Sequence, residues 1–251
     1  MLNFRIAGIS ALIGFLAGAF GALVGVGGGA VVVPLLTGWL GFAQHVAHGT
    51  SLISVGFTGL VGAFTYFRGG ALDLELALTL GIPAGICAAL GARATRGLEV
   101  GQLKGIFGIL LLLVAASLLV EQFLMPDLSW LGVARWPLLV AGGAFAGYAS
   151  GLLGIGGGTV LVPLLVFVAG LDQHLAQGTS LLAMVFPSVV GGVVHNRMGQ
   201  VNWQVLPYLL IGSFLGAYLG GFLALIAPAD LLRWIFALVM GWTGVGYLRR
   251  R

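Results

Sequence analysis

The chain has 251 residues, of which 59% are hydrophobic and 7% are charged, and its formal net charge is +4. An ordinary soluble domain carries roughly 25% charged residues, so this composition excludes a water-soluble globule. The apolar runs approach the ~20 residues that a helix needs to cross a bilayer, and we expect an all-α, polytopic transmembrane helical bundle in a lipid bilayer. The basic residues stand singly between these runs, which argues against a nucleic-acid partner.

The first half of the chain predicts five hydrophobic segments. Arg5 precedes the first one, as in a secretory signal peptide, but the counterpart of this segment lies in mid-chain, so we expect a permanent helix. The second segment has only about a dozen residues, which predicts a half-helix or a re-entrant segment. The five segments cover about 6–26, 30–42, 49–67, 74–92 and 103–124.

Five further segments follow a polar stretch that contains Pro126 and Asp127. The expected organisation is a transmembrane repeat over 1–125, a linker over 126–135 and a second transmembrane repeat over 136–251. The seventh segment is short, like the second. The segments of the second half cover about 136–154, 159–171, 178–195, 203–226 and 230–248.

The two halves repeat one another at an offset of 129 positions. Leu23–Leu52 aligns with Leu152–Leu181 without a gap, and 18 of the 30 residues are identical. The best-matched parts are a glycine run before a proline and a polar block that ends in Gly-Thr-Ser-Leu. A duplicated apolar chain of this kind predicts a transporter built from two homologous repeats around one central site.

The basic residues indicate how the repeats lie in the membrane. If all ten segments cross, eight Lys and Arg residues collect on the side of the termini and three on the other side. If the two short segments turn back, the division is seven to four. The positive-inside rule therefore favours five plus five crossings with both termini in the cytoplasm. An odd number of crossings per repeat inverts the second repeat relative to the first.

All seven acidic residues fall in predicted loops or close to the ends of a segment. Cation carriers commonly keep a carboxylate at mid-membrane, because it binds sodium or a proton. The absence of such a group predicts an anionic or a neutral substrate.

The two glycine runs offer an anion a different kind of site. Each run precedes a short apolar segment, so backbone N–H groups and the positive end of a helix dipole can face a ligand. The alternative is helix packing, since the chain has 44 glycines and membrane helices pack through small residues. The candidate substrate-binding glycines are Gly27, Gly28, Gly29, Gly156, Gly157 and Gly158.

Two hydroxyl pairs are further substrate-binding candidates. Thr50 and Ser51, and likewise Thr179 and Ser180, follow a glycine at the predicted start of the third and eighth segments. A hydroxyl at such a position caps the helix or binds a substrate oxygen. The two roles are compatible, and the sequence leaves both open.

Three histidines and two arginines are candidates for proton coupling or gating. His45 and His174 lie in predicted polar connections, where a histidine takes up a proton near neutral pH or serves as an interfacial hydrogen-bonder. Arg68 and Arg197, the latter beside His195, attract an anion to the mouths of the pathway or anchor helix ends at the lipid headgroups. Because the sequence offers no set of cysteines or acids that would complete a zinc site with these histidines, we expect no metal site.

These motifs resemble the TauE/SafE family of membrane transporters, also called the sulfite exporter family. The likeness rests on GVGGGAVVVPLL and QHVAHGTSL in the first repeat, and on GIGGGTVLVPLL, QHLAQGTSL and HNRMGQVNW in the second. The resemblance implies a bacterial or archaeal inner-membrane permease that exports sulfite, sulfoacetate or a related organosulfonate. It also adds Gln44 and Gln173 to the substrate-binding candidates. In the first repeat, Tyr66 and Asp73 replace the His and Asn of the pattern.

The resulting hypothesis is a secondary-active carrier that exports a small anion by alternating access between the two repeats. A carrier of a cation or a neutral metabolite and an anion channel are the alternatives, and a homodimer is an open alternative to a monomer. The chain contains no nucleotide-binding loop and no convergent catalytic set, so we expect neither an enzyme nor a cofactor. The lone Cys87 indicates packing.

Overall fold

The structure is a computed structural model that describes residues 4–121, 132 and 135–249, and the regular elements within these ranges are all helical. A 3₁₀ turn, Thr95–Gly97, follows the fourth helix. The α-helices in chain order are α1 (Phe4–Val24), α2 (Gly29–Trp39), α3 (Gln44–Arg68), α4 (Leu74–Ala94), α5 (Val100–Glu121), α6 (Arg135–Leu153), α7 (Gly158–Phe167), α8 (Gln173–Ala183), α9 (Val185–Arg197), α10 (Leu206–Ile226) and α11 (Ala229–Arg249).

Six stretches of the described residues are long and apolar enough to cross a membrane. They are α1, α3, α4 with its 3₁₀ turn, α6, α8 together with α9, and α10. With 11 and 10 residues, α2 and α7 are too short to span a bilayer alone. The chain is therefore an all-helical, multi-pass membrane protein. The predicted linker lies outside the described residues apart from Gly132 and Arg135, and so does the predicted end of the fifth segment beyond Glu121.

Two long helix pairs join the first half of the chain to the second. α1 packs along α10 and α4 packs along α6, and in both pairs the contacts advance in the same direction along the two helices. A Cβ added to Gly18 would lie 2.7 Å from the Ser213 carbonyl oxygen, and one added to Gly143 would lie 2.7 Å from the Leu80 carbonyl oxygen. These glycines therefore let the helix backbones approach closely, as small residues do in membrane proteins.

α3 and the α8–α9 segment pack against each other and are antiparallel. Gly49 near the start of α3 packs on His195 near the end of α9, whereas Gly59 farther along α3 packs on Leu181 in α8. Both segments also contact the helices around them, α3 on α10 and α8–α9 on α4. This antiparallel pair positions most of the candidate side chains.

The predicted eighth segment is interrupted where α3 is continuous. α3 runs without a break for 25 residues, but α8 and α9 are separated at Met184. Pro187 explains the difference, because it has no N–H to donate to the carbonyl of Ala183 one turn earlier.

The helices α3 and α8 begin earlier than the hydropathy pattern predicts. The expected starts at residues 49 and 178 are wrong, since the helices begin at Gln44 and Gln173. At α8 the Asp172 carboxylate caps the helix by accepting hydrogen bonds from the N–H groups of His174 and Leu175, both at 3.1 Å. The glutamines and histidines that were expected in polar connections are thus in the first turns of helices.

α5 and α11 form a third, antiparallel pair. A Cβ added to Gly108 would lie 3.0 Å from the Gly244 carbonyl oxygen, and one added to Gly241 would lie 3.8 Å from Ala115 Cβ. This pair shares an apolar cluster with residues of both glycine runs. The central helices are therefore covered on this side by protein.

Candidate functional site

The two glycine runs interrupt the helices at equivalent places, between α1 and α2 and between α6 and α7. Six glycines in these interruptions have a positive φ, which residues with a side chain rarely adopt. They are Gly25, Gly27 and Gly28 (φ 80°, 72° and 83°) and Gly154, Gly156 and Gly157 (φ 69°, 83° and 84°). We call Gly25–Gly29 the first glycine break and Gly154–Gly158 the second glycine break.

The two glycine breaks lie in direct contact with each other. A Cβ added to Gly29 would lie 2.6 Å from the Cα of Ile155, and one added to Gly158 would lie 2.6 Å from the Cα of Val26. All residues of both breaks are buried. Close packing is therefore one role of these glycines, as the sequence left open.

The predicted serines hold the breaks reciprocally. Ser51 Oγ donates to the Gly154 carbonyl oxygen at 2.9 Å, and Ser180 Oγ donates to the Gly25 carbonyl oxygen at 3.0 Å. The acceptors are among the carbonyls that the interruption of a helix leaves without an intrahelical partner. Each serine thus fixes the glycine break of the other repeat.

The predicted threonines brace two connections. Thr50 Oγ1 accepts a hydrogen bond from the Asn202 N–H at 2.9 Å, and Thr179 Oγ1 accepts one from the Asp73 N–H at 3.0 Å. The helix-capping role is wrong for these residues, because α3 and α8 begin two turns earlier. Since the donors are backbone groups, the Asp at position 73 serves as well as the Asn of the second repeat.

The predicted glutamines have different environments in the two repeats. Gln44 Nε2 donates to His48 Nε2 at 2.9 Å, and His48 Nδ1 donates to the Leu152 carbonyl oxygen at 3.2 Å. The equivalent residues are Gln173 and Gln177. Neither amide atom of Gln173 has a hydrogen-bond partner, and Gln177 Nε2 has none either. Positions that align in the two halves of the sequence are therefore hydrogen-bonded to each other in one half and not in the other.

Tyr66 and His195 occupy equivalent positions and make equivalent contacts. The Tyr66 hydroxyl lies 3.1 Å from the Ala22 carbonyl oxygen, and His195 Nε2 donates to the Gly151 carbonyl oxygen at 2.8 Å. The single proton of the Tyr66 hydroxyl points to the nearer acceptor, Gln177 Oε1, at 2.9 Å. Replacement of the histidine by tyrosine in the first repeat therefore keeps the contact with the end of the neighbouring helix.

The other proton-coupling and gating candidates lie away from the glycine breaks. His45 Nε2 donates to the Thr95 carbonyl oxygen at 3.3 Å, and His174 Nε2 is 3.1 Å from the Ala224 carbonyl oxygen. These histidines therefore join the starts of α3 and α8 to the ends of α4 and α10.

Arg68 and Arg197 are the last residues of α3 and α9, and both are exposed. The Arg68 guanidinium lies over the Phe64 ring at 5.9 Å from its centroid. Because α3 and α9 are antiparallel, the two arginines lie at opposite ends of the helix pair. The structure does not bring them together with the glycine breaks.

Acidic residues stay at the ends of helices in the part of the chain that the structure describes. Asp73 and Asp172 precede α4 and α8, Glu99 precedes α5, Glu75 and Asp230 are in first turns, and Glu121 ends α5. Asp127 lies outside the described residues. Among the residues whose side-chain burial the structure describes, no Asp, Glu, Lys or Arg is fully buried, and in the described part of the chain no group of His, Cys, Asp and Glu forms a metal-binding cluster.

The sequence did not single out His48 and Gln177. They lie one helical turn after Gln44 and Gln173, on the same buried helix face. The spacing of four would have identified them if α3 and α8 had been predicted to begin at the glutamines.

Comparison with known proteins identifies the family. Residues 10–247 match the family model described as "Sulfite exporter TauE/SafE". No solved structure matches the chain significantly.

Several curated relatives are similar over most of their length. YdhB of Bacillus subtilis, named a probable membrane transporter protein, is 28% identical over 88% of this chain and 92% of its own. YunE of the same organism, similarly named, is 29% identical over 84% of this chain and 86% of its own. MJ0441 of Methanocaldococcus jannaschii, also named a probable membrane transporter protein, is 30% identical over 73% of this chain and 69% of its own.

Proposed function

Because the chain belongs to the TauE/SafE sulfite exporter family of membrane transporters, we propose that it is a secondary-active permease that exports sulfite or an organosulfonate by alternating access. The single observation that carries this proposal is the meeting of the two glycine breaks. Each break is followed by a short helix, so two helix N-termini, whose first N–H groups have no partner in the preceding turn of a helix, lie in the protein interior. Helix N-termini favour anions, and no carboxylate whose burial the structure describes is fully buried, so none of these opposes an anion there.

The proposed topology has five crossings in each repeat and an inverted second repeat. Its main support is the antiparallel packing of α3 on α8–α9, which are equivalent segments of the two repeats. α3 also runs parallel to α10, since Ser54 Oγ lies 2.8 Å from Ser213 Oγ and a Cβ on Gly221 would lie 3.2 Å from Thr65 Cβ. α1 is parallel to α10 as well, so the chain has to return across the membrane between α1 and α3. The first glycine break, α2 and the residues that follow it up to α3 together make this return, and the second break, α7 and the residues up to α8 do the same in the second repeat.

The positive-inside rule then assigns the sides of the membrane. In this topology Arg197 lies on the side of both termini, together with the basic residues near the start of α5, and Arg68 lies on the opposite side. The side richer in Lys and Arg is the cytoplasm. We therefore place both termini in the cytoplasm of a bacterial or archaeal cell, in the inner membrane.

The transport cycle requires the glycine breaks to move apart. In this conformation the breaks pack backbone to backbone, so a substrate can reach the N-termini of α2 and α7 only after the repeats have shifted. The candidate ligands to the anion are the glycines of the breaks, Gln173, and the hydroxyls of Thr50 and Thr179, which keep an O–H to donate. Ser51 and Ser180 act by positioning the breaks.

Transport by the purified protein tests the proposal. Proteoliposomes containing the protein should take up ³⁵S-sulfite with saturable kinetics, and unlabelled sulfite or organosulfonates should compete. Organic cations and neutral amino acids serve as competitors that test the alternative substrate classes. Uptake no greater than that of protein-free liposomes, or competition by cations and neutral solutes alone, would show that the proposed substrate class is wrong.

A further inference from the structure

Three buried amide atoms in α8 have no hydrogen-bond partner. They are both terminal atoms of Gln173 and the Nε2 atom of Gln177. Gln173 is 3% exposed and Gln177 is fully buried. Buried polar atoms are nearly always hydrogen-bonded, and an unsatisfied one is costly. Three such atoms, on two side chains one helical turn apart, indicate that a hydrogen-bond partner is supplied from outside the chain.

The equivalent residues of the first repeat show that these positions do not have to be unsatisfied. Gln44 is also 3% exposed, and it donates to His48 at 2.9 Å. Gln173 and Gln177 have the same spacing on an equivalent helix, yet they do not bond to each other. The environment of α8 therefore keeps the two carboxamides available.

Gln177 borders the first glycine break. A Cβ added to Gly25 would lie 2.6 Å from the Cα of Gln177, and Ser180, less than one turn further along α8, donates to the Gly25 carbonyl oxygen at 3.0 Å. On the other side the Tyr66 hydroxyl lies 2.9 Å from Gln177 Oε1. The hydroxyl holds the amide of Gln177 in place, which leaves the second atom of that amide for a ligand.

We propose that Gln173 and Gln177 bind the transported anion in its singly protonated form, of which hydrogen sulfite is the smallest example. This inference rests on the proposed function and narrows its substrate class to oxyanions that keep a proton, so fully ionised organosulfonates are expected to bind more weakly than hydrogen sulfite. The carboxamide N–H groups donate to the oxygens of the anion, and the Gln173 carbonyl oxygen accepts a hydrogen bond from the O–H that the anion retains. The assignment of O and N in the Gln173 amide does not affect this conclusion, because both atoms lack a partner.

The proposal has a consequence for coupling. A singly protonated anion carries its own proton, so transport of this species moves a proton without a titrating side chain. The histidines that the sequence suggested for proton coupling are already engaged in the fold, since His45 and His174 donate to backbone carbonyl groups at the ends of α4 and α10.

Matched variants test the role of the carboxamides in proteoliposome transport of ³⁵S-sulfite. Gln173→Met and Gln177→Met keep the length of the side chain and remove its polar atoms. We expect each to raise the KM by at least about tenfold, the effect of losing hydrogen bonds to a charged group. Gln204→Met, a change at an exposed glutamine outside the site, should keep the wild-type KM.

Thermal unfolding in detergent separates binding from a structural role. Gln173→Met should leave the unfolding midpoint unchanged or raise it, because it removes buried atoms that have no partner. Gln44→Met, at the equivalent position, should lower the midpoint, because it removes the hydrogen bond to His48. A lower midpoint for Gln173→Met with an unchanged KM would mean that the amide is structural and would overturn the inference.

A second measurement tests the retained proton. Methanesulfonate has the charge of hydrogen sulfite but no proton to donate, so it should compete with sulfite uptake at least about tenfold less effectively. Equal competition would overturn the requirement for a donor. If the wild type transports sulfite and both methionine variants have the wild-type KM, the two amides bind only water. In that case this inference fails and the proposed function stands. If the wild type transports no oxyanion, the proposed function fails as well.

Discussion

Val55 and Met184 stand at equivalent positions of the two repeats and both contact both glycine breaks. A Cβ added to Gly27 would lie 2.8 Å from Val55 Cγ1 and would meet the Met184 sulfur, and one added to Gly156 would lie 3.6 Å from the same sulfur and would meet Val55 Cγ1. Both side chains are fully buried. The two side chains pack against Gly27 of the first break and Gly156 of the second. A substrate that passes between the breaks therefore has to displace them.

Met184→Ala should loosen the packing that keeps a substrate from passing between the two glycine breaks. Methionine is flexible and lies at the interruption between α8 and α9, so its truncation leaves a cavity next to both breaks. We expect the free energy of unfolding to fall by about 2–5 kcal/mol and liposomes to lose entrapped sulfite faster without a counter-substrate. Val55→Ala, on the continuous helix α3, is the comparison and should have the smaller effect on leakage. If liposomes with either variant lose sulfite at the wild-type rate, Met184 does not keep the space between the breaks closed.

Ser51→Ala should destabilise the fold by about 1 kcal/mol, because it removes the hydrogen bond from Ser51 to the second glycine break. Ser10→Ala is a suitable control: Ser10 is as buried, but its hydroxyl donates to the Ile6 carbonyl of the same helix at 2.8 Å. Thermal unfolding of both variants measures the difference. If Ser10→Ala proves to be the more destabilising change, the bond to Gly154 does not brace the break.

Gly28→Ala should be far more damaging than a change at another glycine of positive φ. At Gly28 (φ 83°) a Cβ would meet the Ala17 carbonyl oxygen, whereas at Gly199 (φ 70°) it would meet nothing within 4 Å. Gly199→Ala therefore measures backbone strain alone, about 1–2 kcal/mol. Gly28→Ala adds a steric clash with α1, and we expect loss of folded protein in the membrane fraction. Similar unfolding midpoints for the two variants would show that the first break is not rigidly packed.

Cysteine labelling tests the inverted topology. In a Cys87→Ser background, Arg68→Cys and Arg197→Cys place one thiol at the end of α3 and one at the end of α9. A membrane-impermeant maleimide should label Arg68→Cys in intact cells, and it should label Arg197→Cys only after the membrane has been opened. Labelling of both positions from the same side would contradict five crossings per repeat.

Much of the fold was predictable because the sequence repeats itself. The glycine runs predict interruptions that only glycine tolerates, and they lie between α1 and α2 and between α6 and α7. The starts of α3 and α8 were not predictable from hydropathy, because polar residues such as Gln44 and Gln173 resemble a loop until their burial is known. The alignment of the repeats also contains no information about contacts between them.

The arrangement of the candidate site residues was not predictable from the sequence. The sequence treats Thr50 and Ser51 as one pair, and only the structure shows that they bond to different segments of the second repeat. The difference between the Gln44–His48 pair and the unpaired Gln173 depends on side-chain conformations, and an alignment of the two repeats gives no information about these.

Counterflow measures the central claim, that two repeats in alternation carry a small oxyanion past the glycine breaks. Proteoliposomes preloaded with unlabelled sulfite and diluted into a trace of ³⁵S-sulfite should accumulate the label transiently above its external concentration, since a carrier returns to the outside faster when it is loaded. Monotonic equilibration of the label without overshoot would indicate a channel. Absence of any protein-dependent flux of sulfite or sulfonates would contradict the account altogether.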